Sequence, residues 1–229
     1  MLIFTIAMPS PVLGIPCPIG EKQLWYQTSS PSVSADGGRQ SWKARTLVAN
    51  GIPNDGFAAE VLWVGTDNAA ADWHWVEVGV TDGFDGQDVY VFYTAHGRSG
   101  GIVYDERMYT SQTPAIGTQY TFSVYETVTG TSYNATIKGP SVTSTLGWGN
   151  HARPTVEWSG GLEALCLGDR VDKVYITVSQ YRRNSDNVWV NASNGYMTRD
   201  NGNGGIEWCL HYTKFRYWLN SVLDPRFCS

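Results

Sequence analysis

Charged residues are scarce in this sequence. Charged residues make up 16% of its 229 residues, whereas an ordinary soluble domain has about 25%. The net charge is −5, and the densest basic spot is the pair Arg182–Arg183, which we interpret as an ordinary solvated strand end. An acidic chain without a basic patch is a poor partner for polyanions. We therefore expect no nucleic-acid partner.

Long apolar runs are also missing. No stretch approaches the roughly 18 consecutive apolar residues that a transmembrane helix needs, so we expect no membrane span. Residues 1–7 are apolar, but no basic segment precedes them, and Pro9 and Pro11 follow at once, unlike a normal secretory signal. We assign residues 1–20 to an N-terminal lead-in or truncated signal segment, and residues 21–229 to a single β-sandwich domain.

Cysteine is rare, and no C-x-x-C pair occurs, which argues against a zinc or redox site of that type. The four cysteines, Cys17, Cys166, Cys209 and Cys228, are well separated. In a chain so poor in lysine they indicate two disulfides and an oxidising, extracellular compartment. Three pairings are possible. We favour Cys166 with Cys209 and Cys17 with Cys228, the second pair tying the termini together.

The usual motifs for metals and cofactors are absent. The four histidines have no zinc-motif spacing, and no P-loop, Rossmann fingerprint or G-x-S-x-G elbow occurs. Asp82, Asp85 and Asp88 offer oxygen atoms on a Gly-rich stretch, which would suit Ca²⁺. Their spacing differs from an EF-hand loop, and two Asp-Gly turns account for it equally well. We expect no metal and no cofactor.

Aromatic residues and glycine are abundant instead, with 13% aromatics and 25 glycines. Short alternating runs separated by turn residues recur along the chain. Helical patterns are confined to residues 160–167 and 217–223, where we expect a turn or a short helix. Many strands and almost no helices predict an all-β sandwich or barrel of antiparallel sheets.

The first candidate site is the run WHWVEVGV at residues 73–80. In a strand, Trp73, Trp75 and Glu77 share one face because side chains alternate. Two indoles and a carboxylate in a row suit a saccharide groove, since sugars stack on aromatic rings and bond to carboxylates. Core packing of the indoles is the alternative. On the next strand we select Tyr93 as a groove residue, a choice that a one-residue slip in register would reverse.

The second candidate site is the run TVEWSGGLEALC at residues 155–166. It holds Glu157 and Glu163 on either side of a Gly pair. Two carboxyl groups can serve as general acid and general base when burial holds the proton on one of them. The alternative is a plain surface position for each glutamate.

Residues 63–93 read WVGTDNAAADWHWVEVGVTDGFDGQDVYVFY. This stretch resembles the strand–turn–strand region of the eqolisin, or glutamic peptidase, family, in which a W-V-G-x-D turn leads into an L-Q-T-G-V strand. Residues 156–158, VEW, are similar to that family's A-E-W segment, which carries the catalytic glutamate. The resemblance covers about a third of the chain. It implies a secreted protein with a concanavalin A-like jelly-roll β-sandwich of two antiparallel sheets.

The sequence departs from that family at one position. The glutamine of the family's Gln/Glu dyad falls at Glu77 here. In the family mechanism this glutamine is a neutral amide that orients water and stabilises the oxyanion, which a glutamate does only while it is protonated. The chain is also similar to uncharacterised secreted concanavalin A-like proteins with W-V-E-V-G, Y-x-F-Y and G-L-E patterns, for which membership implies no activity.

Three hypotheses of function follow. The leading one is a secreted protein that binds an extracellular polymer, a polysaccharide or a protein, through a groove lined by Trp73, Trp75 and Tyr93. The alternative is an acid-active hydrolase, a divergent glutamic peptidase or a glycanase, that uses Glu77 with Glu157 or Glu163. The third is a structural or surface-assembly protein that buries aromatic faces against partner chains.

Overall fold

The computed structural model describes the backbone of fourteen segments of the chain, and the side chains of most of them. The segments are residues 22–27, 35–49, 58–66, 74–83, 89–98, 103–109, 112–128, 132–149, 156–164, 170–171, 174–191, 196–200, 207–211 and 216–220. Side chains are described over 35–49, 58–65, 75–83, 89–97, 107–109, 112–127, 132–148 and 178–191.

These segments contain strands and no helix. The strands are β1 Lys22–Gln27, β2 Ala35–Lys43, β3 Leu47–Val48, β4 Ala58–Thr66, β5 His74–Asp82, β6 Tyr90–Arg98, β7 Val103–Met108, β8 Gln119–Val128, β9 Ser132–Lys138, β10 Thr143–Gly149, β11 Val156–Ala164, β12 Arg170–Val171, β13 Val174–Arg183, β14 Trp189–Asn191, β15 Tyr196–Asp200, β16 Glu207–His211 and β17 Arg216–Asn220. No helix within the described segments is long and apolar enough to cross a membrane.

Two large antiparallel sheets hold most of the strands. The first has seven strands in the order β15-β1-β11-β4-β5-β6-β7. The second has eight, in the order β10-β9-β8-β2-β13-β17-β16, with β14 paired to β13. The short strands β3 and β12 pair separately. The sheets pack face to face, so the all-β sandwich of two antiparallel sheets predicted from the sequence is confirmed.

The core lies between the two sheets and is rich in aromatic rings. Trp42 of β2 stacks on Phe122 of β8 with ring centroids 4.2 Å apart, and Phe92 of β6 meets Tyr120 edge-on at 4.9 Å. Such pairs contribute about 0.5–1.5 kcal/mol each beyond the burial of their area. The rings therefore join the sheets across the sandwich, because Phe92 belongs to the first sheet and its partner to the second.

The helical expectations are wrong. Residues 156–164 form β11, which pairs with β1 on one side and β4 on the other. The first part of the segment 217–223 lies in β17, which pairs with β13 and β16. In both places hydrogen-bonding partners on neighbouring strands outweigh a weak local helical pattern.

Several predictions fall outside the described residues. The lead-in segment 1–20 is one of them, and so are Cys17, Cys166 and Cys228, while only the backbone of Cys209 is described, in β16. Both disulfides therefore stay predictions. Of the three aspartates considered for Ca²⁺, only Asp82 is described, and its Oδ2 atom accepts a hydrogen bond from the backbone N–H of Ala49 at 2.9 Å.

Candidate functional site

The candidate site lies on the face of the seven-stranded sheet that points away from the sandwich core. Along β5 the core receives Val76, Val78 and Val80. Alternation sends the residues between them to the opposite face. There Trp75 packs against a second buried cluster. The cluster contains Ala59, Val61, Trp63, Tyr93 and Ala95. We call this surface, which also carries Glu77, the Glu77 face.

Glu77 occupies the middle of this face. Its cross-strand neighbours are Trp63 on β4 and Ala95 on β6, neither of which can ionise. The residue is 4% exposed. Glu77 is therefore a buried carboxyl group at the position where the resembling family has a glutamine.

The two indoles beside Glu77 pack closely against glycines. A Cβ atom added at Gly65 would come within 2.0 Å of Cη2 of Trp63, and one added at Gly97 would come within 1.9 Å of Cζ2 of Trp75. Real Cβ contacts are never this short, so both positions require glycine while the rings lie where they do. Both indoles therefore pack against the backbone of this face beside Glu77.

The backbone register places Glu157 and Glu163 at different distances from Glu77. Glu157 pairs with Gly65, which pairs with Trp75, two residues from Glu77 along β5. From strand spacing and rise, the Cα atoms of Glu157 and Glu77 are about 12 Å apart. Position 163 pairs with Ala59, and the same reasoning puts it about 17 Å from Glu77. Both glutamate positions share the face of Glu77, and Glu157 is the nearer one.

Of the other two predicted groove residues, only Tyr93 is described. Trp73 lies outside the described residues. Tyr93 pairs with Gly79, on the Glu77 face, and is fully buried against Ala95 and its neighbours. The assignment of groove and catalytic roles to these residues stays a prediction.

Two consecutive buried hydrogen bonds connect the backbone of Glu77 to the other sheet. The hydroxyl of Thr94 on β6 donates to the backbone carbonyl of Glu77 at 2.6 Å. That hydroxyl accepts a hydrogen bond from Nε1 of Trp148 at 3.0 Å. Trp148 belongs to β10, at the edge of the other sheet, and the guanidinium of Arg107 covers its ring at 4.0 Å. Both sheets therefore fix the backbone at Glu77.

Sequence reasoning missed Trp63, Gly97 and Thr94. Trp63 stands in the W-V-G motif, which marks it only as part of the family resemblance. Its spacing of two from Gly65 was a usable signal, because residues two apart in a strand share a face. Nothing local marks Thr94, whose role depends on Trp148 in the other sheet.

No cluster of three or more metal-binding side chains occurs among the described residues. The Glu77 face combines the buried indole of Trp63, the half-buried indole of Trp75, a buried carboxyl group and a second glutamate position two strands away. Two glutamate positions on one face supply the kind of group that general acid–base catalysis uses.

No family model and no curated protein matches the chain. Among solved structures, scytalido-glutamic peptidase with a transition state analog inhibitor superposes over 90% of this chain and 100% of its own, with a TM-score of 0.56 and 12% identity. The chain has the fold of a glutamic peptidase.

A second such structure agrees. SCP-B, a member of the eqolisin family of peptidases in complex with the tripeptide Ala-Ile-His, covers the same shares of both chains, with a TM-score of 0.50 and 11% identity. At these identities the likeness establishes the β-sandwich fold of the glutamic peptidases and leaves activity to be argued from the site.

Proposed function

We propose that the protein is an acid-active hydrolase of the glutamic peptidase type, which cleaves peptide bonds at the Glu77 face. The observation that carries the proposal is the register of β11, β4 and β5, which puts position 157 on the same face as the buried Glu77. The fold likeness to a peptidase that binds a transition state analog, and to one that binds a tripeptide, supports a peptide substrate.

In the proposed reaction Glu157 is the general base and Glu77 the acid. The Glu157 carboxylate takes a proton from a water molecule, whose oxygen attacks the peptide carbonyl carbon. The protonated Glu77 donates a hydrogen bond to the oxyanion that forms. The intermediate then collapses, the C–N bond breaks, and Glu157 passes its proton to the leaving amine. One water molecule is consumed and both glutamates return to their starting state.

This assignment explains why activity is expected in acid. Glu77 is buried, and only the protonated form of a carboxyl group can donate a hydrogen bond to an oxyanion. Glu157 must be ionised to accept a proton from water. Both conditions hold together only in a window of low pH.

The test is a cleavage assay on the full chain. Casein and a mixed peptide library are incubated with it from about pH 2 to pH 7, and mass spectrometry reads the products. General acid–base catalysis contributes about 10²–10⁴-fold, so Glu157→Gln should lose at least about a hundredfold. Glu163→Gln is the matched control, because it changes the same residue type on the same strand, farther from Glu77. Absence of products at every pH, or equal loss in both variants, refutes the proposal.

Polymer binding without catalysis is the second candidate function. It is favoured by one observation, the half-buried indole of Trp75 lying over Gly97 next to Glu77, since sugars stack on such surfaces. The double variant Trp73→Ala/Trp75→Ala should then lose retention on a glycan array while remaining folded. Unchanged retention would exclude a saccharide groove on this face.

We further propose an extracellular location with both disulfides formed, because four spaced cysteines in a charge-poor chain suit an oxidising compartment. Titration of the unfolded, unreduced chain with a thiol reagent should find no free cysteine. Four free thiols would contradict the proposal.

A further inference from the structure

A groove lies on the outer face of the eight-stranded sheet, with the sandwich core between it and the Glu77 face. Its volume is about 370 Å³. The described residues that line it are Arg39, Thr121, Ser123, Tyr125, Thr136, Lys138, Arg182 and Trp189. Three of these are cations, four carry hydroxyl groups, and none is a carboxylate.

The two arginines are held differently. Arg182 pairs with Asp36 at 3.1 Å and donates to the backbone carbonyl of Glu126 at 2.8 Å. Its side chain is 15% exposed, so the interpretation of Arg182–Arg183 as a solvated strand end is wrong for Arg182. The side chain of Arg183, the last residue of β13, is 41% exposed. The ion pair with Asp36, which is buried in β2, draws Arg182 inward. The guanidinium of Arg182 is thus already bonded to other groups of the protein.

Arg39, unlike Arg182, has no carboxylate partner among the described residues. Its guanidinium carbon lies 4.1 Å from the ring centroid of Trp189, and that ring meets Tyr125 edge-on at 6.2 Å. The Nε atom of Arg39 is buried without a hydrogen bond. Burial also lowers the pKa of Arg39. Stacking on Trp189 pre-orients the guanidinium of Arg39 for a planar anion such as a carboxylate.

The rest of the groove offers hydroxyl groups and a second cation. Arg39, Ser123 and Thr136 are direct neighbours across β2, β8 and β9. In the adjoining row Thr121 pairs with Lys138. From strand spacing and rise, the Cα atoms of Arg39 and Lys138 are about 12 Å apart. Two cations therefore flank a floor of hydroxyl groups.

The position of the groove selects the kind of ligand. Strand β2 pairs with β13 and β8, and β8 pairs with β2 and β9. Their backbone N–H and C=O groups are used in the sheet, whereas extended peptides bind by adding a strand at a free edge. Only side chains face the groove, and they match a ligand that is rich in hydroxyl groups and negatively charged.

We propose that this groove binds an acidic oligosaccharide. One carboxylate of the sugar chain receives hydrogen bonds from the guanidinium of Arg39, a second lies near Lys138, and the sugar hydroxyls contact Ser123 and Thr136. The site is separate from the Glu77 face, so it would anchor the protein to a uronate-containing polymer whether or not the protein hydrolyses peptides.

The test uses the full chain with tetragalacturonate as the probe and isothermal titration calorimetry as the measurement. Binding should weaken about tenfold or more in Arg39→Gln, because a charge-assisted bond is lost, and less in Lys138→Gln. Arg183→Gln is the matched control, since Arg183 is exposed and bonds to Asp186 outside the groove. Binding by Glu157→Gln should equal that of the wild type, which separates this result from the peptidase assay.

Three outcomes overturn the proposal. One is equal affinity for the fully methyl-esterified tetrasaccharide, which keeps the hydroxyls and lacks the charge. The second is equal competition by inorganic phosphate or by polyglutamate, which would mean an unspecific anion site. The third is unchanged affinity in both Arg39→Gln and Lys138→Gln. Lys138 is exposed, so its variant folds even if the loss of Arg39 destabilises the sheet.

Discussion

The hydroxyl oxygen of Thr94 lies 2.6 Å from the backbone carbonyl oxygen of Glu77, to which it donates. The same hydroxyl accepts the indole N–H of Trp148, so one buried side chain links the proposed acid to the second sheet. A group that must present a proton at a fixed place needs such support, because misplacement of a reacting group lowers the rate steeply.

Thr94→Val should remove both hydrogen bonds while keeping the shape of the side chain. The buried indole N–H of Trp148 would lose its partner, which costs about 1–3 kcal/mol. Urea unfolding measures the loss. In the control, Thr136→Val, the hydroxyl bonded to Thr145 is exposed, so the change should stay within about 0.5 kcal/mol. Equal losses in both variants would show that the buried chain contributes nothing particular.

Glu77→Gln should extend activity toward neutral pH. The wild-type acid fails once Glu77 loses its proton, whereas an amide can donate a hydrogen bond at any pH. The acidic limb, which depends on ionised Glu157, should not move. The measurement is kcat/KM as a function of pH for both proteins. A folded Glu77→Gln protein that is inactive at every pH would refute the assigned role, and Glu77→Ala should be inactive throughout.

Gly97→Ala should displace the indole of Trp75. The new Cβ atom would lie 1.9 Å from Cζ2 of that ring, and relieving such overpacking typically costs about 1–3 kcal/mol. We expect an altered near-ultraviolet circular dichroism spectrum and a lower midpoint of urea unfolding. Gly147→Ala is the control, because its nearest atom, Oδ1 of Asn134, is 3.6 Å away. If both variants behave like wild type, the indole does not lie over position 97.

Asp36 should make the fold more stable in acid. Burial raises the pKa of Asp36 above its ordinary value, and Arg182 only partly opposes this. The folded state then holds the proton more tightly than the unfolded chain, so the free energy of unfolding falls as pH rises from 3.8 through the folded-state pKa. Asp36→Asn should flatten this slope in urea unfolding at a series of pH values.

The control for that slope is Asp186→Asn. The hydrogen bond from Arg183 lowers the pKa of Asp186, so its contribution has the opposite sign and is lost as pH falls. In Asp186→Asn, the free energy of unfolding should still fall between pH 3.8 and the folded-state pKa of Asp36. A slope in Asp36→Asn identical to that of wild type would assign the acid stability to other groups.

The sequence predicts which face of a strand each side chain occupies, because this depends on one strand alone. The alternation in β5 correctly separates Val76, Val78 and Val80 from Trp75 and Glu77, because the period of a strand is a local property. Pairing between distant strands is not local. The pairing of Glu157 with Gly65 depends on the register of β11 against β4, and no short motif specifies that register.

The groove around Arg39 illustrates the same limit. Its residues come from β2, β8, β9, β13 and β14, and each is an unremarkable polar or aromatic residue in its own segment. Only the order of the strands in the sheet brings Arg39 and Trp189 together. Charge counting could not find it, because the chain as a whole is acidic.

The central place of β2 has a consequence for biosynthesis. Trp42 is flanked by Tyr120 of β8 on one side and Ile176 of β13 on the other. A ribosome delivers β13 long after β2, so the nascent chain carries an open strand edge until the last third of the protein emerges. Open edges recruit other chains. We therefore expect fragments that stop before β13 to aggregate, and full-length chains to fold slowly after release.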